Sequence, residues 1–186
     1  GASAVVSDDP EKLTKCDLLA LPGVGAFPKG MKELSDRSLD VFLKSWVENR
    51  KPLLGICLGM QMLFESSDEF SLTTGLGFLK GLVRRLPEFN SSQQSLTLPH
   101  TGWNMITSTR ALKLNLDNPT YQYFVHSYAA TCVNESDVVL TCNYGGASFV
   151  AAVCRGKIAG VQFHPERSGK SGLALLSRIC KEILSD

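Results

Sequence analysis

Pro52-Leu53-Leu54-Gly55-Ile56-Cys57-Leu58-Gly59 decides the fold. A short apolar run bounded by Pro and Gly reads as a buried strand. It ends at Cys57, and Leu58 to Glu65 then reads as helix. The core of the stretch, Gly55-Ile56-Cys57-Leu58-Gly59, has the form G-x-C-x-G. This is the cysteine version of a nucleophile elbow, a sharp strand-to-helix turn that projects one reactive side chain. Glycines two residues either side let strand and helix approach closely. A helix N-terminus behind the thiol would favour thiolate, and the N–H of Leu58 would point at a developing oxyanion. The alternative is a buried cysteine at a packed turn.

Upstream, Asp17 to Leu21 reads as a strand running into the loop Pro22-Gly23-Val24-Gly25. If that strand lies beside the Cys57 strand, glycine backbone could supply a second oxyanion donor. Lys29 to Asn49 carries Met31, Leu34, Leu39, Phe42, Leu43, Trp46 and Val47 at helical spacing, as one helix or two. Downstream, Gly77 to Arg110 breaks into short β-like pieces, with an exposed polar loop over Glu88 to Thr97. Tyr121 to Thr131, Val138 to Asn143, Phe149 to Arg155 and Lys157 to Phe163 read as strands. Asn143-Tyr144-Gly145-Gly146 and Arg155-Gly156-Lys157 read as turns, and Ser171 to Leu184 as a closing amphipathic helix. Strand–turn–helix units early and hairpins late predict a single three-layer α/β domain over residues 1–186.

The second chemical segment is Gln162-Phe163-His164-Pro165-Glu166, after the apolar strand Ile158-Ala159-Gly160-Val161. His164 is one of three histidines. At a strand end it is placed to deprotonate a thiol on a neighbouring strand end, and Glu166 could hold its second ring nitrogen. Alone, such a histidine is as readily a core or surface residue. With the cysteine elbow it makes a Cys57–His164–Glu166 triad the leading reading.

The bulk composition narrows the partners. Nineteen Lys and Arg against 18 Asp and Glu give a net charge of +1, so no charge excess points to nucleic acid or an anionic membrane. No apolar run approaches a transmembrane span, and no signal-peptide pattern opens the stretch, which predicts a cytoplasmic location. The six cysteines contain no CxxC pair and the histidines no zinc spacing. Ser168-Gly169-Lys170-Ser171 contains G-K-S, but a P-loop needs Gly where His164 stands.

The set LPGVGAF, GICLGMQ, PHTGWN, YFVHSYA, NYGG and GVQFHPERS resembles the class I glutamine amidotransferases. Within that family it is most similar to the glutaminase subunits of imidazole glycerol phosphate synthases. The match runs from about Asp17 to the end of the sequence. The resemblance implies a flavodoxin-like three-layer domain with a mixed, mostly parallel central sheet. It implies Cys57 as nucleophile, His164 as general base and then acid, and Glu166 as its support. Leu58, with Val24 or Gly25 after a peptide reorientation, would form the oxyanion hole. Gly23, Gln61, Glu69, Ser127 and Tyr128 would hold L-glutamine, with Glu69 suited to its α-ammonium. Gln61 could instead be a helix-surface residue, and Ser127 with Tyr128 could be sheet packing. His126 reads as structural. His100 with Gly102-Trp103-Asn104 matches the family segment near the partner interface, or is a loop with one buried Trp.

The resemblance further implies no metal or organic cofactor, and a heterodimer with a (β/α)₈-barrel cyclase that receives ammonia. The family begins with a strand and a helix before the region matching Ala4, so the first β–α unit is expected to be missing. Three rival readings remain. The same glutaminase could feed a sugar amidotransferase of surface-polysaccharide synthesis, the domain could be a non-catalytic regulatory module, or the elbow could belong to a cysteine peptidase or stress protein.

Overall fold

The computed structural model describes residues 2–109, 120–132 and 134–185. A one-turn helix α1 (Pro10–Leu13), capped by the Asp9 carboxylate, precedes strand β1 (Leu19–Gly23). Helices α2 (Phe27–Asp36) and α3 (Leu39–Glu48) follow, divided at Ser38, whose φ of 55° breaks the helical run. The Trp46 indole N–H donates to Pro52 O and ties α3 to the start of β2 (Leu53–Cys57). Then come α4 (Leu58–Met62), β3 (Ser66–Ser67), β4 (Thr73–Thr74), β5 (Gly81–Arg85) and β6 (His100–Ser108). The chain closes with β7 (Thr120–His126), β8 (Tyr128–Cys132), β9 (Val138–Tyr144), β10 (Ala147–Arg155), β11 (Ile158–Val161) and α5 (Gly169–Leu184).

The main sheet has the order β1-β2-β11-β10-β9-β6-β7, and a smaller one β4-β3-β5-β8. Leu53 and Leu54, successive residues of β2, enter two different hydrophobic clusters because a strand alternates its faces. One cluster gathers Phe27, Leu34, Leu43 and Trp46 of α2 and α3, with Val83 and Ala130 of the smaller sheet. The other gathers Leu175, Ile179 and Ile183 of α5 against Val161, Leu140 and Phe124. These are the expected three layers.

The mixed sheet is not mostly parallel. Only β1–β2 and β2–β11 pair in parallel, whereas β11–β10, β10–β9, β9–β6 and β6–β7 are antiparallel. The cause is the turns. Gly145 and Gly146 (φ 62° and 88°) form a two-residue hairpin loop, and such tight loops can join only antiparallel neighbours. Parallel pairing is confined to strands reached by a longer crossover.

Two further expectations are corrected. The run Tyr121 to Thr131 is two strands, because the chain leaves the main sheet at Ser127 and enters the smaller one. The helix after Cys57 ends at Met62 rather than Glu65. The carbonyls of Met62, Leu63, Phe64 and Glu65 accept from Leu76, Leu79, Gly77 and Gly75, so the returning loop takes the groups that a longer helix would use.

Candidate functional site

In parallel strands the C-terminal ends lie on one edge. The register sets Gly23 beside Cys57 and Ile56 beside Val161, so the loops after β1, β2 and β11 share that edge. This is where open α/β sheets hold their ligands.

Cys57 has φ 55° and ψ −113°, a conformation that L residues adopt only under constraint. Its neighbours impose the constraint. A Cβ on Gly59 would stand 1.7 Å from Leu21 O, and one on Gly55 would stand 2.6 Å from the Met60 Cα. Only glycine at both positions lets β1, β2 and α4 meet closely enough to hold the elbow.

The Cys57 thiol is buried, and burial pushes it up to about 11, with the Glu166 carboxylate adding in the same direction. The Leu58 N–H, donating to the thiol, opposes this without overcoming it. The helix end expected to favour thiolate acts here through that Leu58 N–H, and burial outweighs it. At neutral pH the resting group is therefore the thiol.

His164 follows β11 and is fixed by β7. Its N–H donates to Tyr123 O, and its own carbonyl accepts from Ser168 Oγ, which in turn accepts from the Tyr123 N–H. Its ring Nδ1 lies 2.8 Å from Glu166 Oε1. A carboxylate there selects the Nδ1–H tautomer and leaves Nε2 with its lone pair. That Nε2 is buried without a hydrogen-bond partner. A buried, unpaired acceptor is costly unless a proton is brought to it, which is what a general base requires.

Gly25 (φ 97°) has open space around it and Val24 is exposed, so the loop after β1 has room to turn a peptide. Gly23 packs against Leu58 Cβ at 3.1 Å from its would-be Cβ. Gln61, buried, donates to Tyr128 O (2.8 Å) and to Gln162 Oε1 (3.0 Å). Glu69 Oε2 accepts from the Phe27 N–H at 2.7 Å and so reaches the end of the Val24–Gly25 loop. The Ser127 carbonyl accepts from the Leu86 N–H at the point where the chain changes sheets.

Two buried residues carry roles that the sequence does not signal. Gln162 places Nε2 3.8 Å from Cys57 Sγ, and Ser168 staples the His164 segment to β7. Both sit inside the GVQFHPERS segment that also holds His164 and Glu166, and that proximity is their sequence signal. Among the described residues no cluster of His, Cys, Asp or Glu could hold a metal ion. A groove of about 850 Å³, lined by Arg84, Glu135 and Phe149 among others, contains none of the candidates.

His126 is structural, as expected: its ring donates from Nδ1 to Tyr128 O, and burial holds it down at about 3. His100 stacks between Phe124 and Tyr144. Trp103, expected as either interface or buried loop, is 56% exposed, with Met105 and Tyr121 exposed nearby on the paired strands β6 and β7.

Known proteins resemble this chain in sequence and in fold. The imidazole glycerol phosphate synthase subunit HisH of Prochlorococcus marinus is 46% identical over 94% of this chain and 81% of its own length. The subunit of the same name from Sulfurimonas denitrificans is 44% identical over 97% of this chain and 87% of its own. A crystal structure of a glutamine amidotransferase superposes with a TM-score of 0.69 at 19% identity, over 96% of this chain and 84% of that one. The glutaminase domain of Trypanosoma brucei CTPS, with bound acivicin, does so at 0.58 and 17%, over 93% and 74%. The glutamine amidotransferase class-I family profile matches residues 6–182. With the elbow at Cys57 and every described strand from β1 to β11 inside that span, the chain belongs to the class-I glutamine amidotransferase family.

Proposed function

We propose that this chain is the glutaminase subunit of an imidazole glycerol phosphate synthase, hydrolysing L-glutamine to glutamate and ammonia. The observation that carries the chemistry is the His164 ring, held by Glu166 at Nδ1 and unpaired at Nε2, on the same sheet edge as Cys57. Identity of 41–46% to imidazole glycerol phosphate synthase subunits supports the synthase assignment. The ammonia acceptor is a (β/α)₈-barrel cyclase forming a heterodimer with this chain in the cytoplasm. The exposed Trp103, Met105 and Tyr121 face is the docking candidate.

Glutamine lies over Cys57 with its α-ammonium at Glu69 and its polar groups at Gly23, Gln61, Ser127 and Tyr128. The thiol proton moves to His164 Nε2 as Sγ attacks the side-chain amide carbon. Glu166 stabilises the imidazolium that results. The Leu58 N–H and an N–H of the Val24–Gly25 loop donate to the oxyanion. His164 then returns the proton to the departing nitrogen, ammonia leaves, and a γ-glutamyl thioester remains. Water, deprotonated by His164, cleaves the thioester, and Sγ leaves as the thiolate and then takes the proton back from His164.

The test is glutamate release from glutamine, by this chain alone and with a ligand-bound cyclase barrel. Stimulation by the barrel, lost in Cys57→Ala with the circular dichroism unchanged, is expected. Turnover retained in Cys57→Ala would overturn the mechanism. Turnover indifferent to the barrel would move the acceptor to another enzyme.

A further inference from the structure

Gln162 is fully buried, and its side chain spans from the thiol to Gln61. Which end of its amide faces Cys57 follows from a chain of obligations. Tyr128 O is a backbone carbonyl, an acceptor only. The Gln61 group 2.8 Å from it must therefore be the NH₂. The same NH₂ lies 3.0 Å from Gln162, so the Gln162 atom there must be its oxygen. The Gln162 NH₂ is then left facing Cys57 Sγ at 3.8 Å. The carbonyl thus fixes two amide orientations that their shapes alone leave open. It also fixes His126, whose Nδ1–H donates to it at 2.9 Å.

We propose that Gln162 is a further catalytic residue of the reaction proposed above, donating a hydrogen bond from Nε2 to the Cys57 sulfur that strengthens as the sulfur gains negative charge. The inference rests on that reading for its reaction, though not for its geometry. An N–H facing sulfur is a weak bond to a thiol and a charge-assisted one to a thiolate. It therefore favours the ionised and attacking forms over the resting one, and favours the thiolate again as it leaves the thioester. The groups that act on the sulfur from the packed elements are the Leu58 N–H of α4, Glu166 beyond β11, Gln162 itself and, as the proton acceptor of the proposed reaction, His164. Leu58 and Gln162 stabilise its charge, whereas Glu166 opposes it. Gln61 has both amide protons committed, which leaves its Oε1 for the substrate.

The test is the pH dependence of Cys57 alkylation by iodoacetamide in the full chain, read by mass spectrometry beside glutaminase kinetics. Gln162→Met removes the donor at similar volume. Gln162→Glu keeps the shape and the acceptor for Gln61 but turns an oxygen toward the sulfur, so it answers even where the Met variant folds poorly. The alkylation midpoint is expected to rise by about one pH unit in Q162M and further in Q162E, a tenfold loss of thiolate per unit. kcat should fall roughly tenfold in Q162M with KM within about twofold, because the lost bond acts on the nucleophile and not on bound glutamine. A residue that only fills space would lower the unfolding temperature and leave the midpoint in place. Midpoints within about 0.2 pH units of the parent in both variants would overturn the proposal. The two readings fail separately: a parent chain that alkylates as expected but releases no glutamate loses the glutaminase and keeps the Gln162–sulfur bond.

Discussion

At the scale of single residues, Glu166 presents an unusual arrangement, since its side chain is 59% exposed while the histidine that it orients is buried. An exposed carboxylate contributes little through charge at a distance. Its value here is the 2.8 Å contact with Nδ1, which fixes the tautomer. Gln at this position can still turn an oxygen to Nδ1–H but cannot neutralise the imidazolium formed during attack. Leu can do neither. Glu166→Gln is therefore expected to lower kcat by roughly tenfold to a hundredfold and Glu166→Leu by more, with KM nearly unchanged. Steady-state glutaminase assays measure this, and a kcat within twofold of the parent in the Leu variant would remove Glu166 from the triad.

At the scale of elements, the elbow is a three-way contact among β1, β2 and α4, and its glycines bear on stability as well as on catalysis. In Gly59→Ala the new methyl meets the backbone oxygen of Leu21, which no side-chain rotation can relieve. The expected loss is about 3 kcal/mol, at the severe end of overpacking. Gly77→Ala is the control. Its φ of 69° imposes strain but nothing lies within 4 Å, so about 1 kcal/mol is expected. Urea unfolding of both variants checks the pair, and equal losses would mean that the close approach is not tight. The same contact explains what was legible in the sequence. G-x-C-x-G and QFHPE are local motifs, so the elbow and the His164–Glu166 contact could be read from five-residue windows. Helical spacing in 29–49 likewise gave α2 and α3. What could not be read depends on partners far along the chain. The early end of α4 comes from carbonyls taken by residues 75–79, and the break at Ser127 from a change of sheet. The Gln61–Gln162 bond spans 101 residues and the Gln61–Tyr128 bond 67. The balance of parallel and antiparallel pairs was missed although its turn signals were in view.

At the scale of the whole molecule, burial sets opposite proton preferences at the two ends of the pH range. On the acid side, His126 is held down at about 3 from an ordinary 6.5, with burial as the main cause. Between those values the unfolded chain binds a proton there that the folded chain does not, so stability is lost as pH falls from about 6.5. His100, also lowered by burial, adds in the same direction. On the alkaline side, Cys57 is raised to about 11 and Cys142 to about 12, both chiefly by burial. From about 9 upward the unfolded chain releases protons that the folded chain retains, so stability falls as pH rises. The unfolding temperature should therefore hold a plateau between about 6.5 and 9 and decline on both sides. Carboxylates contribute to any acid limb, so the decisive reading is a difference. His126→Asn keeps an N–H for Tyr128 O but cannot titrate, and it forfeits the ring contacts with Phe124 and Phe149. It should lower the unfolding temperature at pH 7.5, yet lose less than the parent between pH 6.5 and 4.5. Cys142→Ala should in the same way flatten the alkaline limb. Variant and parent curves that run parallel through both limbs would show that these buried groups do not set the pH range over which the fold survives.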